Sequence, residues 1–331
     1  MQYFTPKILF PCYRDLAEDS LQIGNLGVVI FKKHGTKVLH RDIGFTNDIQ
    51  FMKEPDCVFA QNESGLIVEL IIGAQSAYEA RNIAELYNAC LTLLGGEMAY
   101  RINQIIELVI QNENSLQHHY VFDGSDTNYY ACKMMQMVIN DDLLRGAVVK
   151  YSVVQEVFRY DSRMLEPTCD DYNFQYLLSD QIKMGYYIVI LYSALEDLKL
   201  EVNASKEKPS VINGKYNPLV VEPIRKKLLE NGIKPDMRLK CLSRAERKIP
   251  RKKTTQTNIL CEWSDGKTVR DFKISIVDAI FELSMIRSKY ATHGNISRVA
   301  DLCLYDVENA NDLIRTVLLE IMKYKGCDMS P

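Results

Sequence analysis

The 331-residue chain is 47% hydrophobic and 25% charged, enough to bury one large core or two modest ones, and two domains are expected. Its formal charge of −3 argues against a global attraction to nucleic acid, so any such contact must come from a local basic surface. Nine cysteines occur without C-x-x-C spacing or a Cys/His cluster, and no secretory signal is read at the N-terminus; this argues against a disulfide scaffold or a zinc site and for a reduced, cytoplasmic protein. The longest apolar run, residues 185–192, is far short of the ~20 residues that span a bilayer, so no membrane is expected as a partner. No phosphate-binding G-x-x-x-x-G-K-[ST] loop, dinucleotide G-x-G-x-x-G or nucleophile elbow is present.

Residues 27–31 (GVVIF) and 66–72 (LIVELII) are short β-branched runs beside glycine, the pattern of buried or half-buried strands. Residues 41–54 between them are polar and turn-rich. From Ser76 the period becomes helical: Ala80, Ile83, Ala84, Tyr87, Leu91 and Leu94 mark one face. Ser76 and Glu79 stand at capping-box spacing, and Gly95-Gly96 closes the helix. A second helix is expected over 99–111, a loop over 112–115 and a helical pair over 129–159. His118-His119 has no carboxylate or cysteine at ligand spacing, so no metal site is read there. Pro167 and Asp170-Asp171 mark a boundary. The fold class is α+β: a mixed strand and helix domain over 1–165, regulatory or docking, then a mainly helical domain over 172–326.

In the second half a helix is expected over about 172–202. Its stretch 186–195 is apolar all round, the mark of a buried central helix. Residues 203–267 read as an irregular basic insertion with one helix over 221–231, ended by Gly232. From Lys234 to Lys253 there are nine Lys/Arg against two acids, including Lys248, Arg251, Lys252 and Lys253. This is a polyanion track or a solvated loop. A helix over 272–285 and a last one over about 307–324 complete four long helices, as an up-and-down bundle requires.

Residues 286–295, IRSKYATHGN, carry the most chemistry. Arg287 and His293 fall at the polar end of an apolar helix, with Gly294-Asn295 as its stop. The stretch RSKYATHG resembles the Arg-x4-6-His signature of HEPN domains, in particular a bacterial subgroup with a motif close to RSKIVHG. Residues 190–198, ILYSALEDL, are similar to an ALE-L stretch on an early helix of such domains. Ser288 fits the subgroup, whereas the wider family often has Asn, Asp or His there. The resemblance covers roughly residues 172–325; residues 1–160 resemble no family. It implies a metal-independent ribonuclease without cofactor, its composite site formed at a homodimer interface. Such domains often act as toxins or effectors in bacterial stress and phage defence, under control of a neighbouring domain, an inhibitor or another partner chain.

The chemistry suits those residue types. A ribose 2′-hydroxyl attacks the adjacent phosphorus when one group takes its proton, another protonates the leaving 5′-oxygen, and positive charge meets the phosphorane. Histidine titrates near neutrality and serves either proton transfer. Arginine stays charged and offers a planar fork to phosphate oxygens. One histidine does not hold both proton positions, which a second copy of the motif would supply. Glu196 either orients a motif residue from a facing helix or is a solvated or ion-paired glutamate; Lys289 either touches phosphate or does not; and Tyr290 either stacks on a base or packs in the core, the usual place of a helical aromatic residue. On an ideal helix six residues rotate ~240°, so Arg287 and His293 share a face only if the helix unwinds or the pairing crosses chains. Two other readings stand beside this one: a non-catalytic HEPN-like module binding a nucleotide, RNA or protein, and a structural subunit of a larger assembly. In the plainest of all, Arg287 and His293 simply complement a helix C-terminus.

Overall fold

The computed structural model describes residues 2–5, 8–12, 20–23, 27–34, 66–95, 109–110, 120–121, 125–165, 178–244, 255–262, 268–291, 302 and 304–325. The chain is α+β, with seven α-helices and three sheets among the described residues. It divides into two compact units, Met1–Asp142 and Leu143–Asp328. That division falls inside the stretch that the sequence reading assigns to its first domain.

In the first unit, five strands precede the first helix: β1 (Gln2–Thr5), β2 (Ile8–Cys12), β3 (Ser20–Ile23), β4 (Gly27–His34) and β5 (Leu66–Ala74). β5 is the spine of a seven-stranded sheet. β4 pairs antiparallel along its whole length, from Gly27 opposite Ala74 to His34 opposite Ile67. On the other edge β2 takes the first half of β5 and β1 the second. Helix α1 (Ala77–Gly95) packs on β5 and on α2 (Ser125–Val138). Its start follows from the capping box: the Glu79 N–H donates to Ser76 Oγ at 3.2 Å, and Glu79 Oε2 accepts from the Gln75 N–H at 2.8 Å. Of the six residues predicted to mark its face, all but Leu94 are buried.

One expectation here is corrected. The end of the helix foreseen over 99–111 is instead β6 (Val109–Ile110), which pairs with β1; a further strand, β7 (Tyr120–Val121), runs parallel to β2. Val109 and Ile110 are β-branched, and Phe4 and Thr5 of β1 supply the ladder that helical periodicity competes with.

The helices of the second unit include α3 (Asp142–Leu165), α4 (Leu178–Asp197), α6 (Ile276–Ile286) and α7 (Leu304–Tyr324). Tyr151 and Val154 of α3, Ile188 and Leu191 of α4, Ile280 and Leu283 of α6, and Ile314 and Val317 of α7 are all buried. α4 packs on α7, on α6 and on the turn that follows α6. Its C-terminus is held against α3 by the Lys150–Asp197 ion pair at 2.6 Å and by Lys150 Nζ donating to the Ser193 carbonyl at 3.3 Å. Gly146 makes this approach close, since a Cβ there would meet Asp197 Oδ2 at 3.0 Å. α4 is not buried all round, as its composition suggested: Tyr186 is 64% exposed. Along α3, Val149, Val153 and Val157, spaced by four, form an exposed apolar stripe.

Among its described residues the segment between α4 and α6 is built of regular elements, not the irregular insertion expected. A hairpin, β8 (Val211–Ile212) and β9 (Lys215–Tyr216), turns on Asn213 and Gly214, both with positive φ (49° and 72°), as a two-residue primed turn demands. Helix α5 (Pro218–Glu230) is capped by Asn217 Oδ1, which accepts from the Leu219 N–H at 3.1 Å. It ends where Gly232 at φ 76° lets the Ile233 N–H reach the Leu228 carbonyl at 2.9 Å. Then β10 (Arg238–Arg244), β11 (Thr255–Glu262) and β12 (Thr268–Ser275) form an antiparallel sheet with β12 central. Residues 272–275, expected as the first turn of the motif helix, are therefore strand. Leu239, Cys241 and Ile274 are buried while Arg238, Lys240 and Lys273 are exposed, the period of two that a half-buried strand needs. Among the described residues, no helix is long and apolar enough to cross a membrane.

Candidate functional site

Ser275 ends β12 and caps α6: its Oγ accepts from the Asp278 N–H at 3.1 Å and bonds the Asp278 carboxylate at 2.7 Å. The other oxygen of that carboxylate accepts from the Tyr216 hydroxyl at 2.7 Å, and the Tyr216 ring stacks on Phe281 at 4.0 Å. Burial, and then the bond to Asp278, hold the Tyr216 phenol well above its usual pKa. The hairpin is thereby pinned to the start of the helix whose far end carries Arg287.

At that far end the α-helix does not stop. Arg287 to Ala291 continue it as a π-turn, whose wider i→i+5 bonding is often met at functional sites. Gly185 of α4 lies against this turn, with the Ala291 Cα 3.7 Å from where its Cβ would be. Further along the two helices, Tyr192 meets Ser284, so α4 and α6 run antiparallel here.

Arg287 sits between two residues of α4 placed one turn apart. Its Nη2 lies 3.2 Å from Glu196 Oε1, and its Cζ lies 4.7 Å from the centre of the Tyr192 ring. The arginine side chain is 34% exposed and the glutamate 41%, so the guanidinium is held yet reachable from solvent. Tyr192 is 2% exposed. Its hydroxyl accepts from the Val202 N–H at 2.9 Å and donates to Ser284 Oγ at 3.3 Å.

Arg287 and Glu196, both named from the sequence, are thus in contact. Within the π-turn Ser288 is half-buried and Lys289 exposed; the backbone of Tyr290 belongs to the same turn, and its side chain lies outside the described residues. His293 lies outside them too, as do Lys248, Arg251, Lys252, Lys253 and the His118-His119 pair. Tyr192 is the residue that sequence reasoning missed. It counted among the apolar residues of a central helix, although its position four before Glu196 sets both on one helical face. Comparison with family models, with curated proteins and with solved structures finds no match for the chain.

Proposed function

We propose that the protein is a metal-independent endoribonuclease of HEPN type. In this reading the second unit is a HEPN-like bundle built from α3, α4, α6 and α7. Arg287 stabilises the charge on the phosphorane formed when a ribose 2′-hydroxyl attacks, and His293 transfers the proton. The observation that carries the reading is the seating of Arg287. A guanidinium stacked on an aromatic ring, held by a carboxylate and still 34% exposed as a side chain suits the contact of a charged fork with phosphate.

Two copies act together, each supplying one His293. The exposed stripe on α3 favours a homodimer. From Val149 to Val157 it extends about 12 Å at 1.5 Å per residue, an apolar length that a second copy of the same face would cover. RNA is the substrate, and Lys248, Arg251, Lys252 and Lys253 join Lys289 in drawing its backbone in. The protein would work in the cytoplasm as a toxin or defence effector, held in check by its first unit or by an inhibitor chain.

The test is cleavage of RNA in EDTA by wild type and by His293→Ala. Wild type should cut and leave 2′,3′-cyclic phosphate ends, and the variant should lose ~10²–10⁴-fold in rate. Cutting that appears only with added magnesium refutes the reading. A second reading, a non-catalytic module that binds RNA, a nucleotide or a protein, is favoured by the same ion pair, because Glu196 already occupies one edge of the guanidinium. It predicts no cutting by any form and loss of ligand binding in Arg287→Ala.

A further inference from the structure

We infer that Tyr192 is a positioning residue for Arg287: its ring, with the Glu196 carboxylate, fixes the plane of the guanidinium against α4. The inference rests on the ribonuclease reading for its kinetic consequence, but not for its geometric one.

Three observations carry it. The ring lies under Cζ at 4.7 Å, within the ~6 Å reach of a cation–π contact, while Nη2 is tied to Glu196 at 3.2 Å. A face and an edge together remove two of the freedoms of a planar group; an ion pair alone leaves the plane free to rotate. The ring itself is over-determined. It is buried, and its hydroxyl is bonded both to the Val202 backbone and to Ser284, three residues before Arg287 on the same helix. Ser284 and Arg287 lie on one helical face, so the tyrosine grips α6 at one turn and orients the side chain of the next. Positional precision of this kind governs rate rather than binding, because a misplaced donor still attracts phosphate but meets the developing charge poorly.

Ring and hydroxyl separate experimentally. Tyr192→Phe keeps the π face and loses both hydroxyl contacts. Tyr192→Leu loses both. Incorporating trifluorophenylalanine at 192 keeps the shape of phenylalanine while withdrawing charge from the ring face. Tyr192→Phe should be less stable than wild type and lose at most a few-fold in kcat, since the hydroxyl anchors go but the buried ring stays under the guanidinium. The fluorinated protein should match Tyr192→Phe in melting temperature and lose roughly tenfold in kcat with little change in KM, as forfeiting a partly desolvated cation–π contact implies. Tyr192→Leu should lose at least as much.

A readout free of any activity is the Arg287 Nε–H signal in NMR, assigned by its absence in Arg287→Lys. Exchange with water should be slow in wild type and Tyr192→Phe, and fast in the fluorinated protein. If the fluorinated protein and Tyr192→Phe agree in kcat, or if the signal exchanges equally in both, Tyr192 is only a packing residue and the inference falls. If wild type cuts no RNA, the ribonuclease reading fails by itself, and the NMR comparison still decides whether Tyr192 orients Arg287.

Discussion

Replacing Arg287 by alanine separates a working side chain from a structural one, because the two roles predict different magnitudes. The ion pair with Glu196 joins side chains 34% and 41% exposed, where solvent screening leaves about 0–1 kcal/mol. The contact with the Tyr192 ring adds about 0.5–1 kcal/mol. Arg287→Ala should therefore cost about 0.5–2 kcal/mol of stability, a modest shift in the urea midpoint at unchanged m-value. If the guanidinium meets the phosphorane, the same change should lower the rate of RNA cleavage by ~10²–10³-fold, equivalent to about 3–4 kcal/mol in the barrier. The activity loss exceeds the stability loss. Glu196→Gln supplies the control: it weakens the pair but leaves the arginine, so stability should fall by less than about 1 kcal/mol and the rate by less than about tenfold. A double-mutant cycle over both positions should return a coupling energy below about 1 kcal/mol. Two results would refute the argument. One is an Arg287→Ala protein that cuts at the wild-type rate. The other is a stability loss above about 4 kcal/mol, which would make Arg287 a structural keystone and its activity loss uninformative.

Tyr216 yields a pH prediction. Its phenol is held above its usual value in the folded chain, so the unfolded chain loses that proton first; the stabilisation is whole below about pH 10 and falls by about 1.4 kcal/mol per pH unit above it. Tyr216→Phe should be less stable at neutral pH through the lost bond to Asp278, and its urea midpoint should decline less steeply above pH 10; parallel declines would mean that Tyr216 ionises as freely folded as unfolded. Val153→Asp places a charge in the exposed stripe of α3 and should turn a dimer into a monomer by light scattering with the melting temperature little changed, whereas an unaltered mass would place any dimer contact elsewhere. Deleting Lys289 should restore an ordinary α-turn after Arg287, keep the fold and lower kcat strongly, whereas Lys289→Ala, which removes only a phosphate contact, should raise KM with kcat little changed; a deletion variant with wild-type kcat would show that the phase of the π-turn is immaterial.

What the sequence made legible was local. Ser76 and Glu79 announce the start of α1 because both partners of the cap stand within four residues, and Gly232 announces the end of α5 because its left-handed backbone excludes most other residues. The sheet from 238 to 275 was not legible. Phe272, Ile274, Ile276 and Ile280 satisfy a helical spacing about as well as an alternating one. What decides between them is a ladder in which Leu239 meets Ile274 and Cys241 meets Phe272, partners more than 30 residues away along the chain. Asn213-Gly214 was a hairpin signal within reach, overlooked in a stretch judged by its prolines and charges.

The candidate site divides along the same line. Glu196 was named because it stands on a helix that resembles a known motif, and Arg287 because of its own motif. Tyr192 carries no motif and looks like core, which by burial it is. Its role emerges only when α4 and α6 lie antiparallel and Gly185 meets the π-turn, bringing Tyr192 and Glu196 under one guanidinium. The turn matters for the same reason. On a regular α-helix the residue six positions after Arg287 is rotated by ~240° and points ~120° away from it, so sequence spacing alone sets them on different faces. A π-turn beginning at Arg287 widens the hydrogen-bonded ring to i→i+5 and breaks that phase at the arginine itself. Regular periodicity, the strongest signal a sequence carries, therefore fails at the one place in the second unit where chemistry is proposed. Such a local breach of an otherwise consistent pattern is expected where function rather than stability selects the geometry.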